Sequence, residues 1–203
     1  MAEGIRQRTR ALDAAGLDLL FREARSHNGW LPRPVGSQLL RQLWELVRYA
    51  PTAVNGMPAR LVFVTSADGK RRLQPCLNPG NVEKVLSAPV TVIIGYDAAF
   101  WEQLPMLFPH ADVRAMFSEN AEAAELTAFR NSSLQGAWLM LAARALGLDC
   151  GPMSGFDSQR LDREFFAGTS IRSNFLCNLG YGDDSRLYPR LPRLSFEEAC
   201  THA

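Results

Sequence analysis

Five short, widely separated blocks of the chain mix cations, small polar side chains and glycine. Arginine offers paired hydrogen-bond donors that match a phosphate group, and a serine hydroxyl adds one more donor. Such a mixture suits a phosphorylated planar ligand. The blocks are Arg25-Ser26, Pro51-Thr52-Ala53-Val54-Asn55, Asn81 with Lys84, Gly151-Pro152-Met153-Ser154-Gly155, and Arg190 with Arg193.

The arginines of the first and last blocks predict a phosphate clamp. If Arg25, Arg190 and Arg193 converge, their guanidinium groups and the Ser26 hydroxyl can hold one phosphoryl group together. Taken singly, each has an ordinary alternative: Arg25 is a polar residue near a helix end, and Arg190 and Arg193 belong to an exposed tail. The prediction therefore depends on the other blocks being present as well.

The amide and glycine blocks predict contacts to a ring. Asn55 and Asn81 each carry an amide donor and acceptor for the polar edge of a heteroaromatic ring, and Lys84 can offset negative charge there. In 151–155, glycine allows the main chain to approach a flat ligand. The alternatives are turn-forming asparagines, a surface lysine and a plain connection between two helices.

Composition narrows the class of partner. Twenty-two Lys and Arg nearly balance 21 Asp and Glu, so net charge gives no bulk attraction to nucleic acid or an anionic membrane, and a small-molecule partner is expected. The four cysteines form no Cys-x-x-Cys pair, which favours reduced thiols and a cytoplasmic location. No histidine cluster suggests a metal, and no nucleophile motif or common nucleotide-binding glycine motif occurs. If the chain is an enzyme, a cofactor should carry the chemistry.

Hydrophobic periodicity predicts an α+β protein with helices covering a small sheet of three or four strands. The longest helix, over 121–146, is expected to be the central spine and a subunit contact, with Gly147 ending it. The apolar run at 90–94 is expected in the middle of the sheet, and 101–118 is expected to form a cover over the site. Further helices are predicted at 17–26, 68–75, 81–86 and 158–166. One more predicted helix is capped by Gly36 or Ser37 and stopped by Pro51. The other predicted strands are 61–64 and 173–181.

The blocks, in this order, resemble the flavin-dependent nitroreductase family from about Leu19 to Ala199. The resemblance implies one FMN-binding domain over residues 1–203, built as a layered sandwich with a small mixed sheet and completed by a partner subunit in a homodimer. It implies no catalytic side chain and no metal. The cofactor-binding residues that it implies are Arg25, Ser26, Pro51, Thr52, Ala53, Asn55, Asn81, Lys84, Ser154, Gly155, Arg190 and Arg193.

Within that family, several stretches resemble the malonic semialdehyde reductase branch of pyrimidine degradation. The resemblance implies that FMN takes hydride from NADPH or NADH at N5 and passes it to the aldehyde, giving 3-hydroxypropionate. Our own hypothesis is that Arg114 or Arg130 pairs with the substrate carboxylate, and the alternative is that both are ordinary surface charges. The alternatives are a broad nitroaromatic, quinone or enal reductase and a non-catalytic flavin-binding protein. Two departures from the family pattern are Asn28, where many relatives carry a second basic residue, and Ala59, where an aromatic is common. The stretches are 24–30, 107–110, 129–133, 151–157 and 190–199.

Overall fold

The fold is α+β. A computed structural model describes residues 11–203, and its sheet has four strands in the order β1-β2-β4-β3. Every neighbouring pair is antiparallel, so the predicted mixed sheet is wrong. The parallel contact found in residues 11–203 is an isolated bridge between Ser26, which lies outside the strands, and Cys150, which lies within the strand Asp149–Met153. The strands are β1 Ala59–Val64, β2 Val90–Asp97, β3 Asp149–Met153 and β4 Ile171–Gly180.

Strand β3 corrects a second prediction. The segment 151–155 was expected to connect two helices directly, yet Asp149–Met153 pairs with β4 along its whole length. Glycine and proline are poor strand formers, which conceals the strand in the sequence. At the edge of a sheet Pro152 is tolerated, because its missing N–H removes no bond to a further strand.

The long helix predicted over 121–146 is present as Ala121–Ala145. It runs through 25 residues, and Gly147 follows it with φ of +76°, a backbone conformation that side chains with a Cβ rarely adopt. The predicted helix 17–26 is shorter than expected, since a π-helical turn over Asp18–Arg22 ends it. Within residues 11–203 no helix is both long and apolar enough to cross a membrane. The α-helices are α1 Ala14–Leu17, α2 Ser37–Val47, α3 Ala67–Leu73, α4 Pro79–Ser87, α5 Leu104–Leu107, α6 Ala115–Ser118, α7 Ala121–Ala145, α8 Ser158–Phe165 and α9 Phe196–Ala199.

Helices cover both faces of the sheet, as expected from the apolar run of β2. Successive side chains of a strand point to opposite faces. Val92 and Ile94 accordingly join a core shared with α2 and α7, whereas Ile93 joins a second core shared with α3 and α8. All three side chains are fully buried, which confirms the central place of β2. The sheet and these two cores support the segments that carry the predicted site residues.

Candidate functional site

A cleft of about 580 Å³ brings together the two arginine blocks from opposite ends of the chain. Arg25 and Ser26 follow the π-helical turn, and Arg190 and Arg193 come from the extended tail after β4. This juxtaposition is the one that the sequence analysis predicts for a phosphate clamp. The remaining lining residues are Phe21, Ala24, Asn28, Arg144, Tyr188, Pro189 and Leu191.

The guanidinium groups of the cleft bond only to backbone carbonyls among the described residues. Arg25 donates to Tyr188 O, and Arg190 Nη2 lies 3.4 Å from Ala24 O. Arg144 of α7, which sequence reasoning missed, donates to Leu20 O at 3.2 Å. These bonds tie the N-terminal segment, the tail and the end of α7 to one another. Arg193 donates within its own tail, to Leu191 O at 3.1 Å and Pro192 O at 3.0 Å.

The positive charge of the cleft is not neutralised by carboxylates among its described lining residues. No acidic side chain lines it in the described part of the chain, and none of its four arginines forms an ion pair there. Each arginine has five N–H donors, and one or two carbonyl bonds leave most of them available to an anion. Seven other arginines in residues 11–203 do form ion pairs, namely Arg22, Arg48, Arg60, Arg71, Arg72, Arg114 and Arg186.

A second group joins the N-terminal end of α4 to the loop after β3. Asn81 Nδ2 and the Asn78 N–H both donate to Gly155 O, at 2.9 and 3.0 Å. A Cβ on Gly155 would lie only 2.7 Å from Asn81 Nδ2, so glycine is what permits this approach. The bond uses one N–H of the Asn81 amide and leaves its second N–H and its oxygen for a ligand. Lys84 lies half-buried one turn further along α4, and Ser154 is exposed beside Gly155.

A third group is the loop 51–57, which α7 holds through buried amides. The Ala53 N–H donates to Asn131 Oδ1 at 2.8 Å, and the Ala59 N–H donates to Gln135 Oε1 at 2.9 Å. Asn131 and Gln135 stand one helical turn apart, on the same face of α7. Val54 has φ of +49°, which is unfavourable for a β-branched residue. Buried hydrogen bonds on both sides of the loop thus maintain a strained backbone.

The same loop contacts segment 101–118, which is predicted to cover the site. Asn55 Nδ2 donates to Leu107 O of α5 at 2.8 Å, which uses one of the two N–H donors of its amide. Gly56 packs against Phe100, whose ring would lie 2.7 Å from an added Cβ. Thr52 Oγ1 closes the loop by accepting from the Met57 N–H at 3.2 Å, and Pro51 is exposed at its start.

A buried histidine lies directly beneath the arginine cleft. His27 follows Ser26, is 4% exposed, and places Nε2 3.4 Å from Asp149 Oδ1. The hydrogen bond from His27 is the main cause that holds the pKa of Asp149 below its usual range, and the Gly182 N–H adds to it. The His27 N–H also donates to Cys150 O at 2.9 Å, which fixes the cleft's N-terminal segment to β3.

The structure therefore brings the predicted residues into three groups rather than one. In residues 11–203 no hydrogen bond directly joins one group to another. Arg144, Asn131 and Gln135 were missed because each lies inside the spine helix, where the pattern indicates only packing. Polar residues occur along the whole helix, so no local signal distinguished these three.

Comparison with known proteins identifies the family. The sequence profile of the Nitroreductase family matches residues 21–181, which contain the whole sheet and the residues of all three groups except Arg190 and Arg193 of the tail. The chain belongs to the nitroreductase family. A protein of Stenotrophomonas maltophilia (strain R551-3) named "Putative NADH dehydrogenase/NAD(P)H nitroreductase" is 61% identical over 189 residues, covering 93% of this chain and 96% of that protein.

Solved structures show that the nitroreductase fold extends over nearly the whole chain. A nitroreductase of Bacillus subtilis, ydfN, superposes with a TM-score of 0.83 at 23% identity and covers 93% of this chain and 99% of its own. A nitroreductase of Exiguobacterium sibiricum, solved in complex with FMN, gives a TM-score of 0.80 at 23% identity and covers 95% and 98%. These likenesses confirm the nitroreductase-like layered fold.

Proposed function

We propose that this chain is an FMN-dependent NAD(P)H oxidoreductase whose residues 1–203 form one flavin-binding domain. The observation that carries the proposal is the cleft of four arginines without a carboxylate, which fits the phosphate of FMN. The name of the Stenotrophomonas relative and the FMN complex of the Exiguobacterium protein support the same reading. When bound, FMN would accept hydride from NADH or NADPH and deliver it to a second substrate.

The chain's own residues fit that cofactor in distinct ways. Arg25, Arg190, Arg193 and Arg144 would hold the phosphate, with the exposed Ser26 hydroxyl as a further donor. The close approach of Gly155 to Asn81 would present backbone and amide oxygen to the ring. Loop 51–55 and Lys84 would complete the site, and α5 would exclude water above it.

Malonic semialdehyde is our proposed acceptor, reduced to 3-hydroxypropionate with one proton taken from solvent. Of the two arginines considered for its carboxylate, Arg114 is already bound by Asp112 through two bonds of 3.1 and 3.2 Å. Arg130 is exposed, forms no ion pair within residues 11–203, and adjoins Asn131, which holds loop 51–57. Arg130 is therefore the better candidate for carboxylate binding.

A nitroaromatic compound is the second candidate acceptor, favoured by the name of the relative at 61% identity. The test is to measure kcat/KM for malonic semialdehyde, a nitrofuran and a quinone with NADPH and with NADH. The proposal predicts the highest value for the semialdehyde, and a roughly tenfold or greater fall in that value alone for Arg130→Ala, because only this substrate carries a carboxylate. Higher kcat/KM for the nitrofuran, or an unchanged semialdehyde KM in the variant, would contradict this choice of acceptor.

We further propose a homodimer, since three separate groups of site residues on one chain call for a second chain to close the flavin site. Large apolar side chains remain exposed on α7, at the end of α2 and in the tail, as a subunit contact would require. Sedimentation should give twice the 22.5 kDa chain mass, and Trp138→Asp should give monomers that bind FMN weakly. A wild-type monomer with full FMN affinity would overturn this. The exposed side chains are Leu126, Phe129, Leu134, Trp138, Leu46, Tyr49, Leu191, Leu194 and Phe196.

A further inference from the structure

A buried cation lies away from the arginine cleft, beneath helix α4. Lys70 of α3 is only 8% exposed. Its ammonium donates to Val85 O, to Ala88 O at 2.9 Å and to Thr91 Oγ1 at 3.0 Å. These three acceptors match the three donors of an ammonium group, and the described residues place no carboxylate within ion-pair distance of it.

The ammonium belongs to a network that terminates α4. The last carbonyls of a helix have no partner within it and must be satisfied from outside. Asn178 of β4 donates to Lys84 O at 3.0 Å and accepts from the Thr91 hydroxyl at 2.6 Å. Lys70, bonded to the same hydroxyl, supplies the positive charge that a helix C-terminus favours.

Helix α4 is therefore held at both ends. Its N-terminal end is bonded to Gly155 O through Asn78 and Asn81, and its C-terminal end is bonded to the buried network. Between these ends lie the two side chains assigned to the flavin, Asn81 and Lys84. Because a helix of nine residues is stiff, fixing its C-terminal end also fixes the angle and depth of its N-terminal end.

We propose that Lys70 is a positioning residue for flavin binding: its buried ammonium anchors the C-terminal end of α4 and so places Asn81 and Lys84 toward the ligand. This inference rests on the proposed function. Lys70 itself touches no ligand, and it acts through the backbone of α4. The substitution Lys70→Met keeps an unbranched side chain one atom shorter and removes the three donors.

The test is a double-mutant cycle measured by FMN titration of the full chain. Asn81→Ala and Lys70→Met should each weaken FMN binding roughly tenfold, as expected for one lost hydrogen bond. Together they should weaken it about twentyfold rather than a hundredfold, because an unanchored α4 no longer places Asn81. Arg71→Met is the control, since Arg71 lies on the same helix, is exposed and pairs only with Asp68. It should leave the affinity within about twofold.

A second readout needs no flavin. Backbone amides of α4 should exchange with deuterium at least tenfold faster in Lys70→Met than in wild type, while amides in the middle of α7 should be unchanged. If Lys70→Met does not fold, Thr91→Val, which breaks the link between Lys70 and Asn178, replaces it in both measurements with the same expected pattern.

Three results would overturn the inference while leaving the proposed function intact: unchanged FMN affinity in Lys70→Met, unchanged α4 exchange, or losses that multiply fully in the double variant. A wild-type chain that binds no FMN would overturn the proposed function and with it this role. Faster α4 exchange would then still show the anchoring itself.

Discussion

Among the described residues, the Lys70 network and the arginine cleft both hold cations without a carboxylate partner, and they treat the charge in opposite ways. The ammonium of Lys70 is buried and has all its donors filled by oxygens from α4 and β2. The arginines of the cleft are half-buried or exposed, and each spends few of its donors on a carbonyl. A cation with no donor left is part of the framework, whereas cations with many donors left are ready for an anion.

The two regions also differ in how far apart their residues lie along the sequence. The Lys70 network joins α3, α4, β2 and β4 within the core. The cleft joins the two ends of the described chain, since Arg25 bonds to Tyr188 O and Arg190 to Ala24 O. Packing therefore maintains the first region, while the second depends on a few surface bonds and on the ligand itself.

The largest effect should come from removing two cations of the cleft. Arg25→Ala combined with Arg190→Ala should weaken FMN binding more than a hundredfold, because each charge-assisted bond to phosphate contributes about 1.5–3 kcal/mol. Riboflavin, which lacks the phosphate, serves as the control in the same titration, and its affinity should change by less than about threefold. Equal losses for FMN and riboflavin would show that the cleft does not bind the phosphate.

The next largest effect is the pH dependence of stability that arises from the buried Lys70. Burial lowers the pKa of Lys70 from 10.5 to about 8, so the unfolded chain binds the proton more tightly than the folded one. Stability from this group should rise by about 2 kcal/mol by pH 10, nearly all of it above pH 8, because the window between the folded and unfolded pKa values runs from about 8 to 10.5. Urea unfolding of wild type and Lys70→Met at pH 7.5, 8.5 and 9.5 measures it as the difference between their slopes.

The comparison of wild type with Lys70→Met at different pH values needs an upper pH limit. Burial raises the pKa of Tyr96 to about 12, and its bond to Glu125 adds to the shift, so stability from Tyr96 is lost above pH 10. Measurements that stop at pH 9.5 avoid this opposite trend. Parallel slopes for wild type and Lys70→Met in that range would contradict the burial of the ammonium away from any carboxylate.

A smaller effect is expected where α7 holds the strained loop. Asn131→Leu leaves the Ala53 N–H without its acceptor and should lower the free energy of unfolding by about 1–3 kcal/mol. Glu122→Gln, exposed on the same helix, is the control and should stay within about 0.5 kcal/mol. If the two variants unfold at the same urea concentration, the amide bond is not what holds the loop.

The smallest effect should follow the loss of an exposed bond. Asn55→Ala removes the donor to Leu107 O and should lower FMN affinity by no more than about tenfold, since such a bond contributes about 0.5–1.5 kcal/mol. Faster amide exchange in 104–108 would accompany it. An affinity loss as large as that of the arginine pair would mean that Asn55 contacts the ring directly rather than through α5.

Much of the framework was predictable because single elements carry their own pattern. The apolar run of β2 specified a central strand, and the long periodic stretch ended by a glycine specified α7. The convergence of Arg25 with Arg190 and Arg193 was predicted from residue type, and the structure places them in one cleft. Charge chemistry is visible in a sequence when its residues have no packing role.

The rest depended on contacts that no local pattern encodes. Strand β3 is held by pairing with β4 and contains Gly151 and Pro152, so its own letters argue against a strand. Arg144 and Asn131 lie within a helix whose pattern reports only its apolar face. Lys70 resembles a surface lysine until the tertiary fold surrounds it with carbonyls.

Titration of the purified chain with FMN, followed by identification of the flavin released on denaturation, tests the central claim most directly. The account predicts a yellow protein that releases FMN and rebinds it far more tightly than riboflavin, because the arginine cleft adds the phosphate contacts. A colourless protein that shows no change in flavin absorption or fluorescence on titration would contradict it.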